Sequence, residues 1–350
     1  MYPSSLSSWT LLIAKGLESL GIDADALFRM AGLNPEKLRI PGARFNQTSV
    51  IKLWRIAEEA SNDPYFGIHV SRYWHPTTFH ALGYAWLASN SLKDGFRRLV
   101  RYSAIINNKL NVEFRLENDG YRFGFASTTL PPGTLPIAVD AGLSTVVHMC
   151  RINFGETLSP LRVQTTRPKP ASVTAYEEFF KCPIAFALEA NALYFAKADI
   201  EKRLPTSNAE LALKSDQMAM EYLARYQHDD IILKIKSLLI NRWPGGKISE
   251  NEIAGTLNMS SRTLHRKLQS EGLNINMLLD ETRKELAIHY LENSNLTIGE
   301  IAYLTGFSEP ANFSRAFRRW TGTTPNAYRS ARPQPFSGRP VSAISIRPPA

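Results

Sequence analysis

Only two cysteines, Cys150 and Cys182, occur in 350 residues. That excludes a disulfide framework and a paired Cys-x-x-Cys metal site, and it suits a reducing compartment. Each thiol sits in an apolar run, VVHMC or FKCPIAF, where a buried, inert sulfhydryl is expected rather than a redox pair. No stretch of 18 apolar residues is present, so no membrane span is expected. The first residues, MYPSSLSSWTLLIAKG, lack the basic start and small-residue cleavage site of a secretory leader, and a cytoplasmic location is expected. Gly-x-Ser-x-Gly, a glycine-rich phosphate loop and His-Glu-x-x-His are all missing. No catalytic residue and no cofactor is therefore predicted. His69, His75 and His80 lie close in sequence, but no cysteine or acidic pattern beside them completes a ligand set. They are read as residues serving local structure, and no metal is expected.

Acidic residues are in deficit. Against 41 Lys and Arg stand 32 Asp and Glu, a formal net charge of +9. Residues 231–330 carry 13 basic and nine acidic side chains, and residues 331–350 add three Arg and no acid. The cationic excess lies in the C-terminal third, where it permits a polyanionic partner.

The chain is long enough for two domains. Residues 1–110 read mostly as helices, among them 9–20, 48–61 and 92–107. The period then changes: NVEFRLE and YRFGF alternate around NDG, which predicts a hairpin with Gly120 suited to positive φ. A helix over 136–154, a short strand at LRVQT, a helix at AYEEFFK and a strand pair near IAFAL and ALYFA follow. Helices with interleaved strands indicate an α+β domain. After a helix over 207–226, QHDD marks the expected boundary. The predicted organisation is an α+β sensing and dimerisation domain over 1–228, an all-α domain over 229–330, and a disordered Pro/Ser/Arg tail over 331–350.

Within the second domain the sequence repeats itself. SENEIAGTLNMS, residues 249–260, matches TIGEIAYLTGFS, residues 297–308. Both copies open on a capping box, Ser249 with Glu252 and Thr297 with Glu300. Asn258 and Gly306 coincide, the residue types that best tolerate a left-handed turn. Met259 and Phe307 follow as apolar plugs, and Ser260 and Ser308 fall where the next helix should be capped. The offset then grows by one, pairing Leu264 with Phe313, Arg266 with Arg315 and Leu268 with Phe317. This pattern predicts two helix-turn-helix motifs, each able to place its second helix in a major groove. Between them, Ile275, Leu278, Leu279, Leu286 and Tyr290 stripe one face of a connector helix of about 28 Å. In GFSEPANFSRAFRRWTG, Phe313, Phe317 and Trp320 are expected to dock the second motif's helix while Arg315 and its neighbours face phosphates or bases.

The segment from Ser249 to Arg329 resembles the DNA-binding domain of AraC/XylS-type transcription regulators, down to the closing Gly-x-x-Pro-x-x-Tyr-Arg. The N-terminal part is similar to the arabinose-binding-like sensor of one branch of that family, through PYFGIHV, ALGYAWLASNSLKDGFRRLVRY and YEEFFKCPIAFALEANALYFAKADIEKRLPTSNAEL. The resemblance implies a DNA-binding regulator, an activator whose hold on double-stranded promoter DNA is modulated by a small-molecule effector of unknown pocket. It also implies RNA polymerase as a partner and a homodimer, with no membrane association. Carried over by position, the DNA-contacting residues are Arg262, His265 and Arg266 on the first reading helix. On the second they are Asn312 and Arg315, with Ser314 toward the backbone. Arg can bridge guanine and Asn adenine in the major groove. Pro310 and Ala311 stand where some relatives carry polar readers, which leaves the second helix fewer donors. The alternatives are an effector-independent regulator and a DNA-repair protein carrying the same module.

Overall fold

A three-residue strand begins the chain's architecture, followed closely by the first helix of a mixed helical and stranded region. The computed structural model describes residues 3–117, 120–125, 135–226, 234–236, 238–239, 249–270, 273–293 and 296–330. Strand β1 (Ser4–Leu6) pairs antiparallel with β2 (Arg44–Asn46), and between them run helices α1 (Ser7–Ser19) and α2 (Ala24–Met30). Helix α3 (Gln47–Ser61) starts where the Asn46 side chain accepts from Thr48 N at 2.8 Å, and it stops at Asn62 in the left-handed conformation. Short helices α4 (Phe66–Val70) and α5 (Ala81–Leu87) lead to α6 (Leu92–Ile106), capped by Ser91. Along α6 the buried Leu92, Phe96, Leu99 and Ile106 recur at helical spacing and face the core.

The expected hairpin is present as β3 (Val112–Glu117) and β4 (Gly120–Phe125), in register from Val112 opposite Phe125 to Glu117 opposite Gly120, whose φ is +155°. Helix α7 (Pro136–Phe154) begins on a proline in its first turn and ends at Gly155 with φ +120°. The remaining sensor elements are β5 (Arg162–Gln164), α8 (Thr174–Phe180), β6 (Ile184–Ala185), β7 (Asn191–Phe195), α9 (Lys197–Glu201) and α10 (Ala209–Tyr226). The five-stranded sheet runs β3-β4-β7-β5-β6, antiparallel except for the parallel pair β5 and β6. The strands expected near IAFAL and ALYFA both form, but they do not pair with each other. Strand β5 lies between them. The chain after β6 stays bonded to β5's extension, with Ala187 N donating to Arg167 O at 2.8 Å and Leu188 N to Thr165 O at 3.0 Å. Ala187 itself turns through φ +56°.

Phe96 of α6 anchors the sheet, with its ring 4.9 Å from those of Phe114 and Phe123 and 5.5 Å from that of Phe195. Fully burying a side chain of this size contributes about 1.5–3 kcal/mol.

The described residues of the C-terminal region form helices joined by turns, with no strand among them: α11 (Glu250–Thr256), α12 (Ser261–Ser270), α13 (Ile275–Asn293), α14 (Ile298–Leu304), α15 (Pro310–Thr321) and α16 (Pro325–Ser330). Ile253, Leu264, Leu268, Leu278, Ile301, Phe313 and Phe317 form a second core. The connector stripe is as expected, with Ile275, Leu278, Leu286 and Tyr290 buried and Leu279 packed at its edge. An α+β region thus precedes an all-α one.

Helix α10 joins the two. It packs on α5 and α6, and its Met220 touches both cores. Arg98 Nε lies 3.1 Å from both Asp216 carboxylate oxygens, with each side chain only 4% exposed, and Arg98 Nη1 donates to Ser89 Oγ at 3.0 Å. The expected boundary at QHDD and the tail over 331–350 lie outside the described residues.

Candidate nucleic-acid interface and sensor cavity

Each half of the repeat is built by the same local chemistry. Ser249 N donates to the Glu252 carboxylate at 2.7 Å while Ser249 Oγ accepts from Glu252 N at 3.3 Å. Thr297 N and Glu300 repeat the exchange at 2.6 Å, with Thr297 Oγ1 accepting from Glu300 N at 3.2 Å. The turns close at Asn258, φ +54°, and Gly306, φ +77°. Met259 N donates to Ala254 O at 3.0 Å and Phe307 N to Ala302 O at 2.8 Å, so the apolar plug is fixed by the same backbone bond in both copies.

The copies diverge at the second cap. Ser260 caps α12 by accepting from Thr263 N at 3.2 Å. Ser308 does not cap α15: that place is taken by Glu309, with extended backbone and no capping bond from its side chain. Pro310 imposes this, since the residue before a proline is driven out of the helical region and a proline at the first position has no amide to satisfy. The one-residue growth in offset is located here.

Arg262, His265 and Arg266 are all exposed on α12, opposite the buried Leu264 and Leu268. No described residue pairs with Arg262 or Arg266. His265 is drawn back, its Nε2 lying 2.7 Å from Glu250 Oε1 on α11. On α15, Asn312 and Arg315 are exposed and Ser314 is half-buried. Arg315 Nη2 donates to Asn312 Oδ1 at 2.5 Å, so the two residues assigned to base reading engage each other in the free protein. Phe313 and Phe317 are fully buried and Trp320 packs against Phe307 at 6.0 Å. Arg319 is committed elsewhere, holding Asp280 of the connector at 2.6 Å.

Sequence reasoning missed Arg283. Its Nε donates to Thr305 O at 3.2 Å and its guanidinium lies 4.9 Å from the Phe307 ring centre, seating the connector on the second turn. Burial lowers its pKa. A signal existed, because Arg283 falls four residues after Leu279 on the apolar stripe.

The sensor contains a cavity of about 120 Å³ between α1, α3, α6, α7 and the β3–β4 hairpin. Its walls carry Trp9, Trp54, Phe79, Phe123 and Phe125 with aliphatic side chains, and Ser5, Gln47, Asn107 and Thr145 are its polar members. The aromatics of YAWLASN lie elsewhere. Trp86 is fully buried, donating to Met149 O at 3.1 Å.

Nearby clusters serve structure. His75 caps a short helical turn in a reciprocal box with Thr78, and His69 lies 2.6 Å from Asp63 Oδ2. Among the described residues no three His, Cys, Asp or Glu are gathered as metal ligands, and no helix is long and apolar enough to cross a membrane. Burial raises both thiols, Cys182 to about 11 and fully buried Cys150 further, which disfavours the reactive thiolate. Asp140 is buried with Arg167 Nη1 at 2.6 Å and Tyr176 OH at 2.8 Å. Burial pushes its carboxyl up to about 6, against the pull of Arg167 and Tyr176.

Comparison with known proteins gives two family matches. The arabinose-binding domain of AraC transcription regulators, an N-terminal domain, matches residues 21–204, and a helix-turn-helix domain matches residues 253–331. The ornithine utilization regulator of Pseudomonas aeruginosa is 29% identical over 313 residues, 89% of this chain and 92% of its own. The HTH-type transcriptional regulator VirS of Mycobacterium tuberculosis is 24% identical over 323 residues, 90% and 93% of the two chains. The crystal structure of the transcriptional regulator CdpR from Pseudomonas aeruginosa aligns over 88% of this chain and 96% of that one, at 20% identity and a TM-score of 0.46.

Proposed function

Since the chain belongs to the AraC family of transcription regulators, with an arabinose-binding-type sensor and a helix-turn-helix DNA-binding domain, we propose that it binds promoter DNA through α12 and α15 under the control of an effector held in the sensor. The observation that carries this reading is the duplicated cap, turn and exposed basic helix. Arg262 and Arg266 are offered outward from α12, and Asn312 and Arg315 from α15. His265 and Ser314 complete the contact set, His265 after exchanging Glu250 for DNA. The working division of the chain is a sensor over 1–228 and a DNA-binding domain over 229–330. The protein acts without a catalytic step, in the cytoplasm, as a homodimer that engages RNA polymerase at the promoter. Its relatives are transcription regulators. One is named for ornithine utilization, and an effector of that type would bring both an ammonium and a carboxylate into the sensor.

The test is binding of the full chain to DNA recovered by genome-wide mapping of its bound sites, followed by fluorescence anisotropy across a salt series. Log affinity should fall linearly with log salt, with a slope of about −0.9 per phosphate contacted. Affinity that ignores salt, or binding without preference for the mapped sites, would refute the reading.

A further inference from the structure

We propose that the cavity of about 120 Å³ is the effector site and that it takes a small uncharged molecule, a single apolar ring or short alkyl chain bearing a neutral hydroxyl or carbonyl group. The proposal rests on the effector-controlled reading above and specifies the chemistry of that effector.

Size comes first. An engineered cavity of about 150 Å³ lined by aliphatic and aromatic side chains takes up benzene, so this space suits one ring. Charge is decided by the walls. Among the described residues none of the lining side chains is ionisable, and an unpaired charge carried into such a site loses its hydration without compensation. That weighs against an amino acid. Polar capacity is limited as well. Gln47 Oε1 accepts from Ser5 Oγ and from Asn107 Nδ2, the latter at 2.9 Å, so most of this cluster is already satisfied. A pentose, with its several hydroxyls, would leave groups unpaired.

One wall group is conspicuously unsatisfied. Thr145 is 1% exposed and its Oγ1 has no hydrogen-bond partner among the described residues. A helical threonine ordinarily bonds the carbonyl a turn earlier, and a buried hydroxyl left unpaired is costly. A ligand hydroxyl or carbonyl would supply the missing partner.

The experiment uses the full-length protein and named probes: benzyl alcohol, cyclohexanone, toluene, benzoate, L-arabinose and L-ornithine. Melting shifts and calorimetric affinities are measured for the wild type, Gly142→Leu and Thr145→Val. Gly142 lines the cavity, and a Cβ there would meet only Phe125 ring atoms, at 3.6 and 3.7 Å, in ordinary van der Waals contact, so a leucine at this position is expected to take up cavity space. Benzyl alcohol or cyclohexanone should raise the wild-type melting temperature progressively, with the logarithm of concentration once it exceeds Kd, and Gly142→Leu should abolish the shift while melting no lower than the wild type. Thr145→Val should weaken benzyl alcohol by roughly three- to tenfold and leave toluene unchanged. The proposal is overturned if L-ornithine, L-arabinose or benzoate binds more tightly than the neutral probes. It is equally overturned if Gly142→Leu binds the neutral probes as well as the wild type, or if no neutral probe binds. Operator binding measured alongside separates the two failures. Intact DNA binding with no neutral probe bound removes only the cavity proposal, whereas absent DNA binding removes the regulator reading itself.

Discussion

Arg97 Nη1 on α6 lies 2.8 Å from Glu292 Oε2 on the connector helix, and the other oxygen of that carboxylate accepts from Tyr328 OH on α16 at 2.9 Å. Tyr328 in turn packs edge-on at 5.4 Å against Phe317, the buried anchor of the second reading helix. The same α6 contributes Leu99 and Ile106 to the cavity wall. One carboxylate therefore stands between a sensor helix that touches the cavity and the aromatic packing that fixes a DNA-facing helix.

Arg97→Ala and Tyr328→Phe should both reduce the factor by which an effector changes operator affinity. The Arg97 and Glu292 side chains are 48% and 23% exposed, so the loss of stability should stay within about 1 kcal/mol. Because coupling is reciprocal, operator DNA should change effector affinity by the same reduced factor. An unaltered effector response in both variants would show that this contact does not transmit.

Asp216→Ala should destabilise the sensor by about 3–5 kcal/mol, because it leaves Arg98 buried without its counter-charge. Burial raises the Asp216 carboxyl while Arg98 holds it down. Urea denaturation followed by tryptophan fluorescence checks this. A loss below about 1 kcal/mol would mean that the site opens to water.

The Asp140 carboxyl gives a pH dependence with a definite sign. Its folded value is raised to about 6, whereas in an unfolded chain it titrates near 3.9. Between these values the folded protein holds a proton that the unfolded chain has released, so falling pH favours the fold. Relative to Asp140→Asn, the wild type should gain melting temperature as pH drops from 7 to 5. A wild type that gains nothing relative to Asp140→Asn over this range would mean that Arg167 outweighs burial.

Arg266→Ala should lower operator affinity and relax base preference in one half-site, at about 1–3 kcal/mol of lost discrimination. Arg315→Ala should lower affinity with a smaller loss of preference in the other half, since Pro310 and Ala311 leave α15 fewer donors. A base-substitution series across the operator, read at one salt concentration, distinguishes the two. Equal relaxation in both halves would mean that α15 reads bases as fully as α12.

Local signals made much of this architecture legible. Pro136 and Gly155 bracket α7 at its predicted limits, and the paired boxes of Ser249 with Glu252 and Thr297 with Glu300 define both motifs. The candidate DNA-facing residues were placed by the repeat and by family likeness together. What stayed hidden depends on residues distant in sequence. The insertion of β5 between β6 and β7 is set by long-range pairing, and the cavity gathers side chains from across the sensor. His265's tie to Glu250 and Arg97's tie to Glu292 are side-chain choices among many possible partners. Ser308 failed as a cap because Pro310 two residues later decided the backbone.

The sheet order also fixes a timetable for folding. Strand β4 finds its second neighbour only in β7, and Arg98 finds Asp216 only when α10 arrives. Each helix-turn-helix, by contrast, closes over contacts a few residues apart, and contacts of short range form faster. During synthesis the sensor therefore waits, with Arg98 unpaired by Asp216 and the faces of α5 and α6 that α10 covers still open, for the last helix before the DNA-binding region. Chain termination just short of α10 should yield a product that aggregates or is degraded, even though every strand of its sheet has been made.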